Sequence, residues 1–194
     1  MRKGEDERDD MDEDPPSSPV PTPRMLSWAR NSAAYRLGKR MHTKKQLSQA
    51  IARKAREKFE GISDEQVVAL SAFAVAFGYD NKALDDVAYA EVATRSGQQS
   101  GRSRRAISQR LVLKGIDRET ATSAVAEVDD LKAAIVLARK RAFGPFRKEP
   151  PDERRKMKEL SAFARGGFSL DLGRRVYHMD RDEAEAILFG EASF

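Results

Sequence analysis

The sequence predicts an all-α protein made of stacked helical modules behind a disordered N-terminal tail. Three observations predict it. From Met25 onward, apolar residues recur at helical spacing and no stretch sustains the alternation of a strand. A Gly–apolar–Ser/Asp triplet occurs three times, with Gly61, Gly115 and Gly167 spaced 54 and 52 residues apart. The first two dozen residues join an acidic run to a proline run, which has little apolar surface to bury.

The tail, residues 1–24, comes first. Residues 1–14 hold eight carboxylates against three basic side chains, a net of −5. The whole chain is formally +5, so +10 rests on residues 15–194. P-P-S-S-P-V-P-T-P (15–23) carries five of the eight prolines and reads as polyproline-like rather than helical. An acidic tail on a basic body can fold back and compete with an anionic ligand.

The first module, residues 25–83, contains the longest uncharged run, Q-V-V-A-L-S-A-F-A-V-A-F-G-Y (66–79). It is shorter than the ~20 residues a membrane span requires and reads as a buried core helix, with Phe73 and Phe77 one turn apart. The second module, 84–128, opens on L-D-D-V-A-Y-A-E-V-A (84–93). Asp85 suits an N-cap, Asp86 the positive first turn, and Leu84, Tyr89 and Val92 an inward face. Then comes S-G-Q-Q-S-G-R-S-R-R (96–105), which superficially resembles a phosphate-binding loop. A Walker loop needs four residues between its glycines, a following lysine and a preceding strand. Gly97 and Gly101 are separated by three residues, Arg102 replaces the lysine, and 88–95 reads as helix, so the stretch is a loop between two helices. It launches R-S-R-R-A-I-S-Q-R-L-V-L-K (102–114), started near Gly101 or Ser103. Ile107 and Leu111 face inward there, while Arg102, Arg105 and Gln109 share another face with Arg104 nearby.

The third module, 129–194, begins with an apolar stripe of Leu131, Ala134, Ile135, Ala138 and Ala142. The basic stretch A-R-K-R-A-F-G-P-F-R-K (138–148) follows, then a basic helix around 154–165 introduced by P-P-D-E, where proline suits a first turn. At each joint the glycine ends one helix in the left-handed region, and the apolar residue tucks inward. Ser63, Asp117 or Ser169 then caps the next helix, with Gln66 completing a capping box. Modules of this kind cannot bury their apolar faces alone and stack.

Composition excludes several chemistries. The chain has no cysteine, so disulfides, zinc–thiolate sites and thiol nucleophiles are out, which fits a reducing cytoplasm. His42 and His178 are far apart, and the acidic N-terminus is not a secretory signal. No spacing suggests a metal site, a cofactor site or a catalytic constellation, and no enzyme is expected.

L-D-D-V-A-Y-A followed by S-G-Q-Q-S-G-R-S-R-R-A-I-S-Q-R-L-V-L-K-G-I-D resembles the central signature of RecX, the bacterial regulator of the RecA recombinase. G-G-F-S (166–169) and Arg174–Tyr177 resemble the family's C-terminal module. D-N-K-A (80–83) resembles an insertion. The resemblance implies tandem three-helix modules forming an elongated, curved body that docks in the groove of the RecA–single-stranded DNA filament. It implies modulation, usually inhibition, of ATP hydrolysis and strand exchange by a cytoplasmic protein with no chemistry of its own. Filament contact falls to basic clusters at Arg102, Arg104, Arg105 and Lys114, at Arg139, Lys140, Arg141 and Arg147, and at Arg154 and Arg155. Single-stranded DNA binding should be weak and salt-sensitive; the chain is expected to be a monomer with no membrane partner. The rival expectation is a helix-turn-helix protein reading duplex DNA.

Overall fold

The structure, a computed structural model, describes residues 19–190. Among these residues it contains ten α-helices, one 3-10 turn and no strand. Most of the expected tail, residues 1–18, lies outside the described residues. Its end differs from the expectation. Thr22 caps α1 (Pro23–Lys39), so Pro23 opens a helix instead of belonging to the proline run. A first-turn proline loses no hydrogen bond, and its fixed φ suits the helix.

Three buried apolar clusters follow one another along the chain. In the first, α3 (Asp64–Asp80) lies against both α1 and α2 (Lys44–Lys58), burying Ala33, Leu47, Ile51 and Leu70. Trp28 meets Phe59 edge-on at 5.3 Å. Leu84, expected to begin the second module, buries here. In the second, α6 (Arg118–Ala124) lies against α4 (Asp86–Gln99) and α5 (Arg104–Leu113), around Ile107, Leu111, Ile116 and Val128. In the third, α9 (Leu170–His178) bridges α7 (Asp130–Arg141) and α8 (Glu153–Arg165) over Ile135, Phe163 and Val176. This last group adds a fourth helix, α10 (Arg181–Phe189), and the 3-10 turn Gly144–Phe146.

The joints are built as the repeated triplet predicts. Gly61, Gly115 and Gly167 have φ of +67°, +92° and +86°. Ser63, Asp117 and Ser169 accept hydrogen bonds from the amides of Gln66, Thr120 and Leu172, and Ser63–Gln66 is a full capping box. At the second and third joints the apolar residue donates its amide back five residues, Ile116 to Leu111 and Phe168 to Phe163. Those bonds cap otherwise orphaned helix carbonyls. Prolines 150 and 151 precede the Asp152 cap of α8 rather than entering its first turn, because the carboxylate of Asp152 takes the Arg155 amide.

The modules are joined by a seam that recurs. The start of α2 seats on the end of α5: the Thr43 hydroxyl, fully buried, donates to the Lys114 carbonyl at 2.7 Å, and Lys45 lies across Gly115. Asp86 adds a bond from the Lys44 amide at 2.9 Å, so the second carboxylate of the acidic pair serves the neighbouring module. One module further on, the start of α5 seats on the end of α8. The Ser103 amide donates to the Gly166 carbonyl at 3.3 Å, and its hydroxyl lies over Gly167. The second core has only seven buried apolar residues. At roughly 1.5–3 kcal/mol per large side chain, a core that small gains substantially from being clamped on both sides.

Candidate functional site

The site forms where α4 and α5 converge. Ser96–Gln99 belong to α4, Ser100–Arg102 make the turn, and Ser103 caps α5 by accepting from the Ala106 amide at 3.1 Å. The stretch expected to be loop is therefore half helix. Two glycines are required here. A side chain at Gly97 would meet Ile107 at 2.7 Å, so glycine lets the two helices approach. One at Gly101, φ +71°, would meet the Leu137 amide nitrogen at 2.7 Å, so this turn is pressed onto α7.

Between the helices lies a cleft of about 420 Å³. Val92, Ala93, Gly97, Ile107 and Leu111 form its apolar floor, and Met41 and Tyr89 also line it. Arg102, Arg110 and Lys114 stand on its rim, and no carboxylate lines it. Among the described residues Arg102 and Arg110 are exposed and have neither an ion-pair nor a hydrogen-bond partner for their side chains. Lys114 donates to the Tyr89 hydroxyl at 2.7 Å, with its ammonium 5.4 Å from that ring. Outside that lining, Lys140 of α7 donates to the Gln99 carbonyl at 2.8 Å and ties α7 to the end of α4. Burial lowers the pKa of His42, next to Met41, aided by Arg40 and Arg36, although its Nδ1–H···O contact to the Arg40 carbonyl (2.9 Å) opposes that. Uncompensated cations around an apolar floor suit an anionic ligand that also carries an apolar face.

The ten sequence-picked cations divide sharply. Arg102 and Lys114 line the cleft, whereas Lys140 is bonded to the Gln99 carbonyl. Arg102 precedes the Ser103 cap and so cannot share a helical face with Gln109, which lines a separate groove with Leu113 and Arg118. Arg104 is committed to structure: its guanidinium donates to the Val128 carbonyl at 2.7 Å and its amide to Asp130. Arg147 and Arg155 both pair with the fully buried Glu159, at 3.0 and 3.2 Å. Arg139 lies 5.7 Å from the Phe189 ring. Arg105, Arg141 and Arg154 are exposed and unpaired among the described residues. Sequence reasoning missed Arg110, although its position one turn before Lys114 was a usable signal. It also turned Val92 inward, whereas Val92 is 43% exposed on the cleft floor, since Tyr89, Ala90 and Ala93 fill the core side of α4.

Among the described residues no three His, Asp or Glu side chains converge on a metal position, and no helix is long and apolar enough to cross a membrane. The helices after the joints carry Asp64, Glu65, Glu119 and Asp171 in their first turns. Acids there oppose a duplex backbone at the place where a recognition helix normally meets it.

Successive helical units joined by capped glycine turns define an all-α protein of repeated helix-turn-helix-like modules. The family model for the RecX second three-helix domain matches residues 85–125, the helices that build the cleft. The chain is 62% identical over 168 residues to a protein of Agrobacterium fabrum named regulatory protein RecX, covering 87% of this chain and 91% of that one. It is 36% identical over 163 residues to a Myxococcus xanthus protein of the same name, covering 79% and 87%. The chain belongs to the RecX family.

Proposed function

We propose that this protein is a non-enzymatic regulator of the RecA recombinase, docking along the RecA–single-stranded DNA filament and slowing its ATP hydrolysis and strand exchange. The observation that carries the reading is kinship at 62% identity across nine-tenths of a protein named regulatory protein RecX. The unpaired cations Arg102 and Arg110 support it, because a nucleoprotein filament offers a long, repeating array of phosphates for such groups. A stack of modules spanning neighbouring subunits would oppose the subunit movements that accompany ATP turnover.

The test is RecA ATP hydrolysis on single-stranded DNA, followed over time with the purified full chain added. The rate should fall as the protein is titrated. Arg102→Glu/Arg110→Glu should need at least about tenfold more protein for the same effect, the scale expected from reversing two phosphate-facing charges. A wild-type chain that leaves hydrolysis unchanged would overturn the regulatory reading.

A further inference from the structure

We infer that the α4–α5 cleft is a binding site for single-stranded DNA, seating one base against Val92 and Ala93 with the flanking phosphates held by Arg102, Arg110 and Lys114. The inference deepens the proposed function, on which it rests only for the source of the strand. Its own basis is the chemistry of the cleft.

Two features need explaining together: an apolar floor on which Val92 stands exposed, and a rim of cations with no acid to neutralise it. A free inorganic anion would use the rim and leave the floor without a partner. Duplex DNA would do the same, since its base faces are already stacked inside the helix. A single strand supplies both parts, an apolar base face and a charged link on either side. Guanidinium forks match phosphate oxygens in a paired geometry, and two of the three rim cations are arginines left free for it. Arg110 and Lys114 lie one turn apart along α5 and its cap, about 5–6 Å, so they present a short row of charge rather than a point.

A peptide fits less well. Extended peptides gain affinity by adding to a sheet edge, and the described residues contain no strand. A docked helix needs a continuous apolar stripe, whereas this floor is interrupted by Ser96 and Ser100.

The experiment is fluorescence anisotropy of a labelled oligothymidylate titrated with the full chain alone, without recombinase, at low and moderate salt. Arg110→Glu and Val92→Asp alter the cleft. Arg118→Glu, in the separate groove beside Leu113, makes the same charge change as Arg110→Glu and serves as the control. The cleft variants should weaken binding by about tenfold, the range that one lost apolar side-chain contact or one charge-assisted phosphate hydrogen bond commands. Arg110→Glu should also flatten the logarithmic salt slope by about 0.7 for each phosphate that is no longer neutralised. Arg118→Glu should shift affinity less than about threefold, and unlabelled duplex should compete poorly.

Equal losses of affinity in Arg110→Glu and Arg118→Glu would overturn the assignment, leaving diffuse attraction. So would a wild-type chain that binds no oligonucleotide at low salt. If the cleft variants bind the oligonucleotide normally but lose their effect on RecA hydrolysis, the cleft holds a protein partner and the inference fails, while the regulatory reading survives. Should Val92→Asp perturb the helical circular dichroism, Arg110→Glu decides alone, since Arg110 is exposed and its side chain is unpaired among the described residues.

Discussion

Glu159 shows how one residue redirects a charge pattern. It is fully buried, and its carboxylate accepts from the Gly144 amide at 2.9 Å as well as from Arg147 and Arg155. Arg147 also donates to the Tyr177 carbonyl and stacks 4.3 Å from that ring. These two arginines therefore hold the third core together rather than attract a partner. Removing one member of a buried pair costs about 3–5 kcal/mol. Arg155 is 36% exposed and regains some hydration, so Glu159→Ala should lower unfolding stability by about 2–3 kcal/mol, with Glu159→Gln milder. Urea denaturation of both variants checks this, and an unchanged midpoint in Glu159→Ala would reject it. The Arg155–Glu159 pair was legible in sequence as an i,i+4 spacing. Arg147, twelve residues away, was not, because only the turn at Gly144 brings it back onto α8.

At the scale of elements, joint and seam make separable demands on glycine. Gly61 has a positive φ but open space around it, whereas Gly167 has a positive φ and the Ser103 hydroxyl where its side chain would go. Gly61→Ala should cost about 1 kcal/mol, from the backbone alone. Gly167→Ala adds a clash at the seam and should cost about 1–3 kcal/mol more. Equal drops in urea midpoint would show that the seam is indifferent to the added methyl group. The three joints were readable beforehand because glycine, apolar residue and cap are local grammar. The seam was not, since Thr43 and Lys114 are 71 residues apart, and only folding makes them partners.

For the whole molecule, the decisive quantity is where charge remains unspent. Basic residues outnumber acidic ones along the body, yet local carboxylates and carbonyls absorb Arg56, Arg104, Arg147 and Arg155. The cleft keeps Arg102 and Arg110 unpaired among the described residues, with Lys114 in the same lining and no acid there. If these cations supply the attraction to the filament, the effect on RecA hydrolysis should fade steeply with salt. The logarithm of the apparent affinity should fall with a slope of about −0.7 per phosphate neutralised, measured between about 50 and 200 mM salt. A flat dependence would mean that apolar surfaces dominate docking.

The sequence by itself determined the helical class, the three glycine joints with their caps, the Asp85 cap, and the absence of thiol chemistry. Each depends on residue types alone or on residues within a few positions of one another, where backbone geometry and hydrogen bonding act directly. Only the tertiary structure decided which arginines are free, that Val92 faces solvent, that Asp86 braces the neighbouring module, and that α4 and α5 part enough to leave a cleft. Those outcomes depend on groups tens of residues apart competing for the same partners, and chain order carries no record of who wins.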